Sequence, residues 1–265
     1  VSTIRIPSPR GAFRVWQRNV TIFRKYWMSS LFPNFIEPLL YLAALGLGLG
    51  AFIQQGGIDG QSYVQYIAPG LLASNAMFAA SFESTFNTFV KLRFDRIYDA
   101  IITTPVNAED VIAGEYLWAG TRSALYGTGF LAMLVVLGVA FGETLITSPW
   151  AFLIPPMLLV IGIMFSVMGT LFTSLIEHID LFAYYFTLVV TPLFLFSGIF
   201  FPVENFPAPV PQVAWFTPLY HAVNVCRELA TGPSLGVLVD VVWILVFTGA
   251  LALIPVQIMR RRLIG

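Results

Sequence analysis

The sequence predicts an all-α integral membrane protein. Six transmembrane helices are expected, with an N-terminal amphipathic interfacial helix, a short cytoplasmic helix between spans two and three, and outer re-entrant helices between spans five and six. Three observations carry this prediction. Hydrophobic residues make up 57% of the 265 and charged residues only 11%, against about a quarter charged in soluble domains. Uncharged stretches approaching or exceeding the roughly 20 residues needed to cross a bilayer core recur along the chain. Lys and Arg gather in alternate connections, the pattern of cytoplasmic loops. Formal charge is zero, 14 Lys and Arg against 14 Asp and Glu, so no bulk basicity directs the chain to nucleic acid. The single cysteine, Cys226, precludes an intrachain disulfide.

Residues 1–33 read as a cytoplasmic N-terminal segment. Phe13, Trp16, Val20, Phe23 and Trp27 recur every three or four positions, while Arg14, Arg18 and Lys25 fall on another face. Such a helix is expected to lie in the inner headgroup layer until Pro33 turns the chain into the membrane. The first 30 residues lack an apolar run before a small-residue cleavage site, so no cleavable signal peptide is expected.

Residues 34–265 form the transmembrane part. Its spans are Pro38–Ile58, Gly60–Phe82, Ser123–Gly142, Pro149–Ile176, Leu181–Pro202 and Val241–Met259. Residues 1–33 hold six of the 14 Lys and Arg; Lys91, Arg93 and Arg96 lie between spans two and three, and Arg260, Arg261 and Arg262 follow span six. The connections around Asp59 and Glu143 have none, and the long one after span five has only Arg227. Both termini are therefore expected in the cytoplasm. The connection "EHID" (177–180) has no Lys or Arg and is placed inside by alternation.

Between spans two and three, "KLRFDRIYDAIITTP" (91–105) reads as a surface helix over about 91–104. Phe94, Ile97 and Ile101 share one stripe, and Lys91, Asp95 and Asp99 the polar side. Pro105 disfavours helix at Thr104, and Asn107 with Asp110 resembles the cap that opens the next helix. After span five, about 202–234, five prolines from Pro202 to Pro218 forbid a continuous helix. Trp215, Phe216 and Tyr220 suit the interface, and His221–Ala230 is helical but too short to cross. Short re-entrant or interfacial helices are expected, with protein covering their backbone.

No GxxxxGK[ST] loop is present, so this chain does not bind ATP through a P-loop. HExxH and GxSxG are also missing. An intramembrane hydrolase needs a buried nucleophile and base brought together; Ser166 with His178 is a conceivable pair that no motif supports. Glu37, Glu83, Glu115 and Arg122 fall near the inner ends of their spans, and Glu115 and Arg122 share a face. They serve either as packing and ion pairs or in substrate entry and gating. Asp240 reads as interfacial. Gly46/Gly50 and Gly138/Gly142 are weak marks of close helix contact.

Four segments carry a family resemblance: "YIAPGLLASNAMFAASFESTFNTF", "IYDAIITTPVNAEDVIAGEYLWAGTRSAL", "TPLFLFSGIFFPVENFP" and "TPLYHAVNVCREL". In this order they resemble permease subunits of type-2 ABC exporters, the lipo-oligosaccharide or nodulation-factor export permeases of the nodulation protein J type. The resemblance implies a homodimer in the bacterial cytoplasmic (inner) membrane, bound to two copies of a separate P-loop ATP-binding subunit. ATP and Mg would sit on that partner, with no cofactor in this chain. It makes the 91–104 helix a coupling helix, with Arg93, Asp95, Arg96 and Asp99 as contacts, and gives Phe206, Trp215, Tyr220 and Arg227 to the exit. It favours a lipid-linked oligosaccharide or similar amphipathic glycolipid as cargo. A drug exporter of the same architecture, an intramembrane enzyme acting on lipid or sugar, and a self-contained channel or secondary transporter are the alternatives.

Overall fold

The computed structural model describes residues 7–49, 58, 60–141 and 144–264. Most of the outer end of span one, Gly142 at the end of span three, the connection residues Asp59 and Glu143, Arg5 and the second glycine of each GxxxG pair lie outside the described residues.

Helix α1 spans Pro9–Ala43, with proline in its first turn and Ser8 as the N-cap, its Oγ accepting from Gly11 N at 3.1 Å. The turn expected at Pro33 is found instead at Tyr26 (φ −125°, ψ 15°), and the backbone passes Pro33 as helix. Bending there keeps both halves on one neighbour, helix α4 (Ala108–Phe141). Before the bend, Trp16 Nε1 donates to Thr121 Oγ1 at 2.9 Å and Phe23 meets Trp118 edge-on; after it, Phe35 occupies the space beside Gly129. The buried stripe is Ala12, Val15 and Asn19, one position round from the aromatic one, and Phe13 and Trp27 stay exposed.

Helix α2 (Tyr63–Phe82) opens with a reciprocal capping box between Ser62 and Gln65. It is the central helix: from Tyr66 to Ser81 only Phe78 is less than buried. Its run of Ala, Gly and Ser lets α4, α5 (Ile154–Leu175) and α9 (Pro218–Thr231) close around it. Beyond Phe82 the helix continues through two π turns, Glu83–Asn87 and Val90–Phe94. Each wider turn rotates the side chains that follow relative to an α-helix.

The short helix α3 is Ile97–Ile102. Helix α5 follows a 3₁₀ turn at Pro149–Leu153. The fifth apolar run is assembled from a 3₁₀ turn Ile179–Leu181, α6 (Phe182–Tyr185), a π turn Phe186–Val190 and α7 (Thr191–Phe196). Then come α8 (Val210–Trp215), α9 and α10 (Gly236–Ile264). No strand occurs among the described residues, only an isolated bridge between Ile58 and Gln61. Four described runs are long and apolar enough to cross a membrane: Ala108–Ala140, Pro149–Leu175, Ile179–Phe196 and Gly236–Leu263; Asn34–Gly46 is a shorter apolar helix.

Helix α4 crosses α5 at small residues. A β-carbon at Gly162 would stand 2.5 Å from Ser123 Cβ and 2.9 Å from the Gly120 Cα. Gly120 and Ser123 form a small-residue seam on α4, with α5 pressed directly onto it.

Candidate functional site

At one end of the bundle, four chain segments converge on α3. Asp110, in the first turn of α4, accepts from Asn107 N at 3.2 Å, completing the expected cap. The same buried carboxylate accepts from Ser8 N at 2.5 Å and Ser8 Oγ at 3.1 Å. One side chain thus closes the N-termini of α1 and α4 together, which suits the positive ends of both helix dipoles. Glu109 meets Arg260 at 3.2 Å, and Arg262 Nη1 donates to Ile176 O, past the end of α5, at 2.6 Å. These contacts fasten the last turn of α10 to the same floor.

The structure divides the helix predicted over 91–104. Residues Val90–Phe94 belong to the continuation of α2, Arg96 is in the left-handed region (φ 48°, ψ 35°), and only Ile97–Ile102 form the separate helix. The break follows from Lys91, which is drawn inward by two carboxylates and cannot sit on the solvent face of a surface helix. Phe94 is 65% exposed. The seated stripe is therefore Ile97, Tyr98 and Ile101, packed with Val111, Ile112, Tyr116, Val256 and Met259. Burial pushes the Tyr98 phenol well above its ordinary pKa, and the nearby Glu115 carboxylate acts in the same direction. Arg93, Asp95, Arg96 and Asp99 are all exposed.

Directly above α3 lies a buried ion network. Lys91 Nζ is 2.9 Å from Glu83 Oε1 and 2.7 Å from Glu115 Oε2. Arg122 Nη1 pairs with Glu83 Oε2, and its Nε and Nη2 donate to Tyr126 Oη at 3.0 and 2.6 Å. Asn87 Nδ2 donates to Glu83 Oε2 at 2.6 Å. Two cations balance two anions, so the cluster is neutral. Lys91 and Glu83 are eight apart, about 80° out of register on an unbroken α-helix; the π turns take up that difference.

Of the four predicted intramembrane residues, the structure brings Glu83, Glu115 and Arg122 together and leaves Glu37 apart. Glu37 is exposed and lines a narrow cleft with Asn34, Tyr41, Asn75, Phe78 and Phe194. Asn75 Nδ2 donates to Asn34 O at 3.1 Å, and Phe194 meets Tyr41 and Phe78 edge-on.

At the opposite end, Arg227 Nη2 donates to Gly198 O at 2.8 Å while its guanidinium lies 4.1 Å from the Tyr66 ring centroid. Tyr66 Oη donates to the same carbonyl at 3.1 Å. Phe206 packs edge-on against Phe196, Trp215 is exposed, and Tyr220 is half-buried beside His221. His221 is fully buried, with Nδ1 2.5 Å from Asp240 Oδ1, Nε2 2.7 Å from Trp215 O, and its ring stacked on Trp243. A carbonyl only accepts, so Nε2 is the nitrogen that donates to Trp215 O, and Nδ1 faces the Asp240 carboxylate. Asp240, predicted to be merely interfacial, ties α10 to α8 and α9 through this histidine.

His178 has no such role. It is exposed beyond α5, whereas Ser166 is buried nine residues before that helix ends, about 14 Å back along its axis. The sequence carried a local sign of some partners it did not name: Asn87 is four residues after Glu83, and Tyr126 four after Arg122. Nothing local pointed to Lys91 turning inward, to Tyr98 as the seat of α3, or to His221 meeting Asp240.

Long apolar helices, a small-residue seam between two of them, and a charged helix at one end of the bundle define a helical membrane domain. Residues 11–230 match the family described as ABC-2 type transporter, and the chain belongs to that family. It is a multi-pass membrane transport protein, and its family pairs such chains with an ATP-binding partner. It is 32% identical to Nodulation protein J of Rhizobium leguminosarum bv. viciae over 250 residues, covering 94% of this chain and 93% of that protein. Nodulation protein J of Rhizobium meliloti (strain 1021) is 34% identical over 221 residues, 83% and 81% of the two chains. Inner membrane transport permease YadH of Escherichia coli (strain K12) is 26% identical over 213 residues, 80% of each.

Proposed function

We propose that this chain is the permease subunit of an ATP-driven exporter that moves a lipid-linked oligosaccharide or similar amphipathic glycolipid outward from the inner leaflet. In this reading it spans the bacterial inner membrane six times with both termini in the cytoplasm, works as a homodimer, and engages two P-loop subunits that hold ATP and Mg. The observation that carries the reading is α3. A six-residue helix, preceded by a left-handed residue, seats Ile97, Tyr98 and Ile101 against the bundle and leaves its own Asp99 and the flanking Asp95 exposed. That is the form of a docking knob.

Closure of the ATP-bound partner pair would push α3 as a rigid piece, because Tyr98 seats it on the first turns of α4 and the last of α10. The push would pass to α2 and α4, which the Glu83–Lys91–Glu115–Arg122 network joins. Cargo can shift the balance only by binding inward- and outward-facing states unequally. The cleft around Glu37 supports a glycolipid: carboxylate and amides suit sugar hydroxyls, and aromatic rings suit a sugar face or acyl chain. At about 30 Å³ the cleft is a seam, so cargo entry requires α7 to separate from α1. The outer segment with Phe206, Trp215, Tyr220 and Arg227 would shape the exit.

The test is to tag the chain, extract it gently and weigh what co-purifies. A P-loop ATPase in equal amount is expected. Asp95→Lys/Asp99→Lys should reduce its recovery about tenfold or more with unchanged permease yield; recovery at the wild-type level would remove α3 as the docking element. In the reconstituted complex, glycolipid should stimulate ATP hydrolysis, and Glu37→Gln/Asn75→Ala should raise the half-saturating concentration about tenfold. Stimulation by hydrophobic drugs instead would move the assignment to a drug exporter.

A further inference from the structure

We propose that the pocket between the end of α2's continuation, α3 and the last turn of α10 binds the phosphate of an anionic phospholipid in the cytoplasmic leaflet. The proposal rests on the membrane orientation given above, and not on the identity of the cargo or of the partner. The pocket, about 230 Å³, is lined by Leu92, Arg93, Arg96, Asp99 and Arg262. Three guanidinium groups face one carboxylate. Among the described residues, the side chains of Arg93 and Arg96 have neither a hydrogen-bond nor an ion-pair partner. Arg262 is fixed by its bond to Ile176 O and keeps further N–H groups to offer.

Arg93 also borders a second opening with Glu177, His178 and Asp180. None of these reaches it as an ion pair, so the Arg93 guanidinium is left without a paired carboxylate. The left-handed backbone at Arg96, uncommon for a residue with a β-carbon, holds its side chain on the same wall as Arg93 and Asp99. Convergent forks of N–H donors match the oxygens of a phosphate.

Depth selects a lipid as the source. Helix α10 is the most apolar of the four crossing helices and the barest, with 11% of its apolar window buried within the chain. Its apolar run gives way to Arg260, Arg261 and Arg262, so in the orientation proposed above the pocket at its last turn opens at headgroup level. Phe94, exposed and next to Arg93, supplies an apolar anchor at the same level.

The experiment uses the chain in dodecyl maltoside and reads binding and thermal unfolding with phosphatidylglycerol, phosphatidylcholine and inorganic phosphate. Phosphatidylglycerol alone is expected to bind and to raise the unfolding midpoint. Arg93→Gln/Arg96→Gln should weaken that binding roughly fivefold per arginine. The variant should leave the unliganded midpoint unchanged, because neither side chain has an internal partner, while Arg14→Gln, far along the sequence, should bind as wild type. Wild-type phosphatidylglycerol binding by the double variant would overturn the proposal. An equal midpoint shift with inorganic phosphate would reassign the pocket to a free anion. Retained lipid binding with loss of the co-purifying ATPase would make it a protein-docking patch instead.

Discussion

Lys91→Met should produce the largest loss of stability among single polar substitutions in this chain. Lys91 is the cation between Glu83 and Glu115, and both carboxylates are almost completely buried. Among the described residues, removing it leaves Glu115 with no charged partner within ion-pair distance and Glu83 with only Arg122. Stranding one charge of a buried pair costs about 3–5 kcal/mol, a large share of the 5–15 kcal/mol typical of folded domains. The expected readout is a sharp fall in detergent-extracted folded protein and in its unfolding midpoint. Lys91→Met/Glu115→Gln, which removes both charges, should recover most of that loss. If the recovered variant also transports normally, the network is structural; if it is folded but uncoupled from ATP hydrolysis, the network transmits the motion of α3. A single variant as stable as wild type would mean that the pairing contributes nothing.

The second large effect is expected from Gly162→Leu. The added side chain would meet Ser123 Cβ at 2.5 Å and backbone at Gly120, so no rotamer change relieves the overlap. Overpacking a core costs typically 1–3 kcal/mol when side chains can shift. Here two helices must separate, and α5 carries Met164, Phe165 and Val167, which α2, α4 and α10 rely on for their packing. Loss of folded permease from the membrane is the expected outcome, with Gly162→Ala milder. By contrast Gly249, with open space around it, should accept alanine without change in midpoint, and equal effects at the two positions would refute the seam.

The sequence-level reading located the apolar runs well because hydropathy is a property of each segment alone. Spans four and six are found within a few residues of α5 and α10. Its errors have a common cause. Spacing of four puts Lys91 with Asp95 and Asp99 on the polar side of a surface helix; its true environment comes from Glu115, 24 residues away. Phe94 was placed in the apolar stripe by spacing, whereas the π turns and the left-handed Arg96 shift the stripe to Tyr98. The bend of α1 was assigned to proline, yet the surface of α4 decides where that helix turns.

By itself, the sequence determined a membrane protein with long apolar helices, a cap at Asn107 and Asp110, and a charged element between two apolar runs. Those features follow from length, hydropathy and hydrogen bonds closed within a few residues. Only the tertiary structure decided which charges neutralise one another inside, which small residues carry the helix crossing, and that His221 meets Asp240. Each of these depends on distance between helices far apart in the chain, and the free energy of a buried charge or a missing β-carbon is set by that distance.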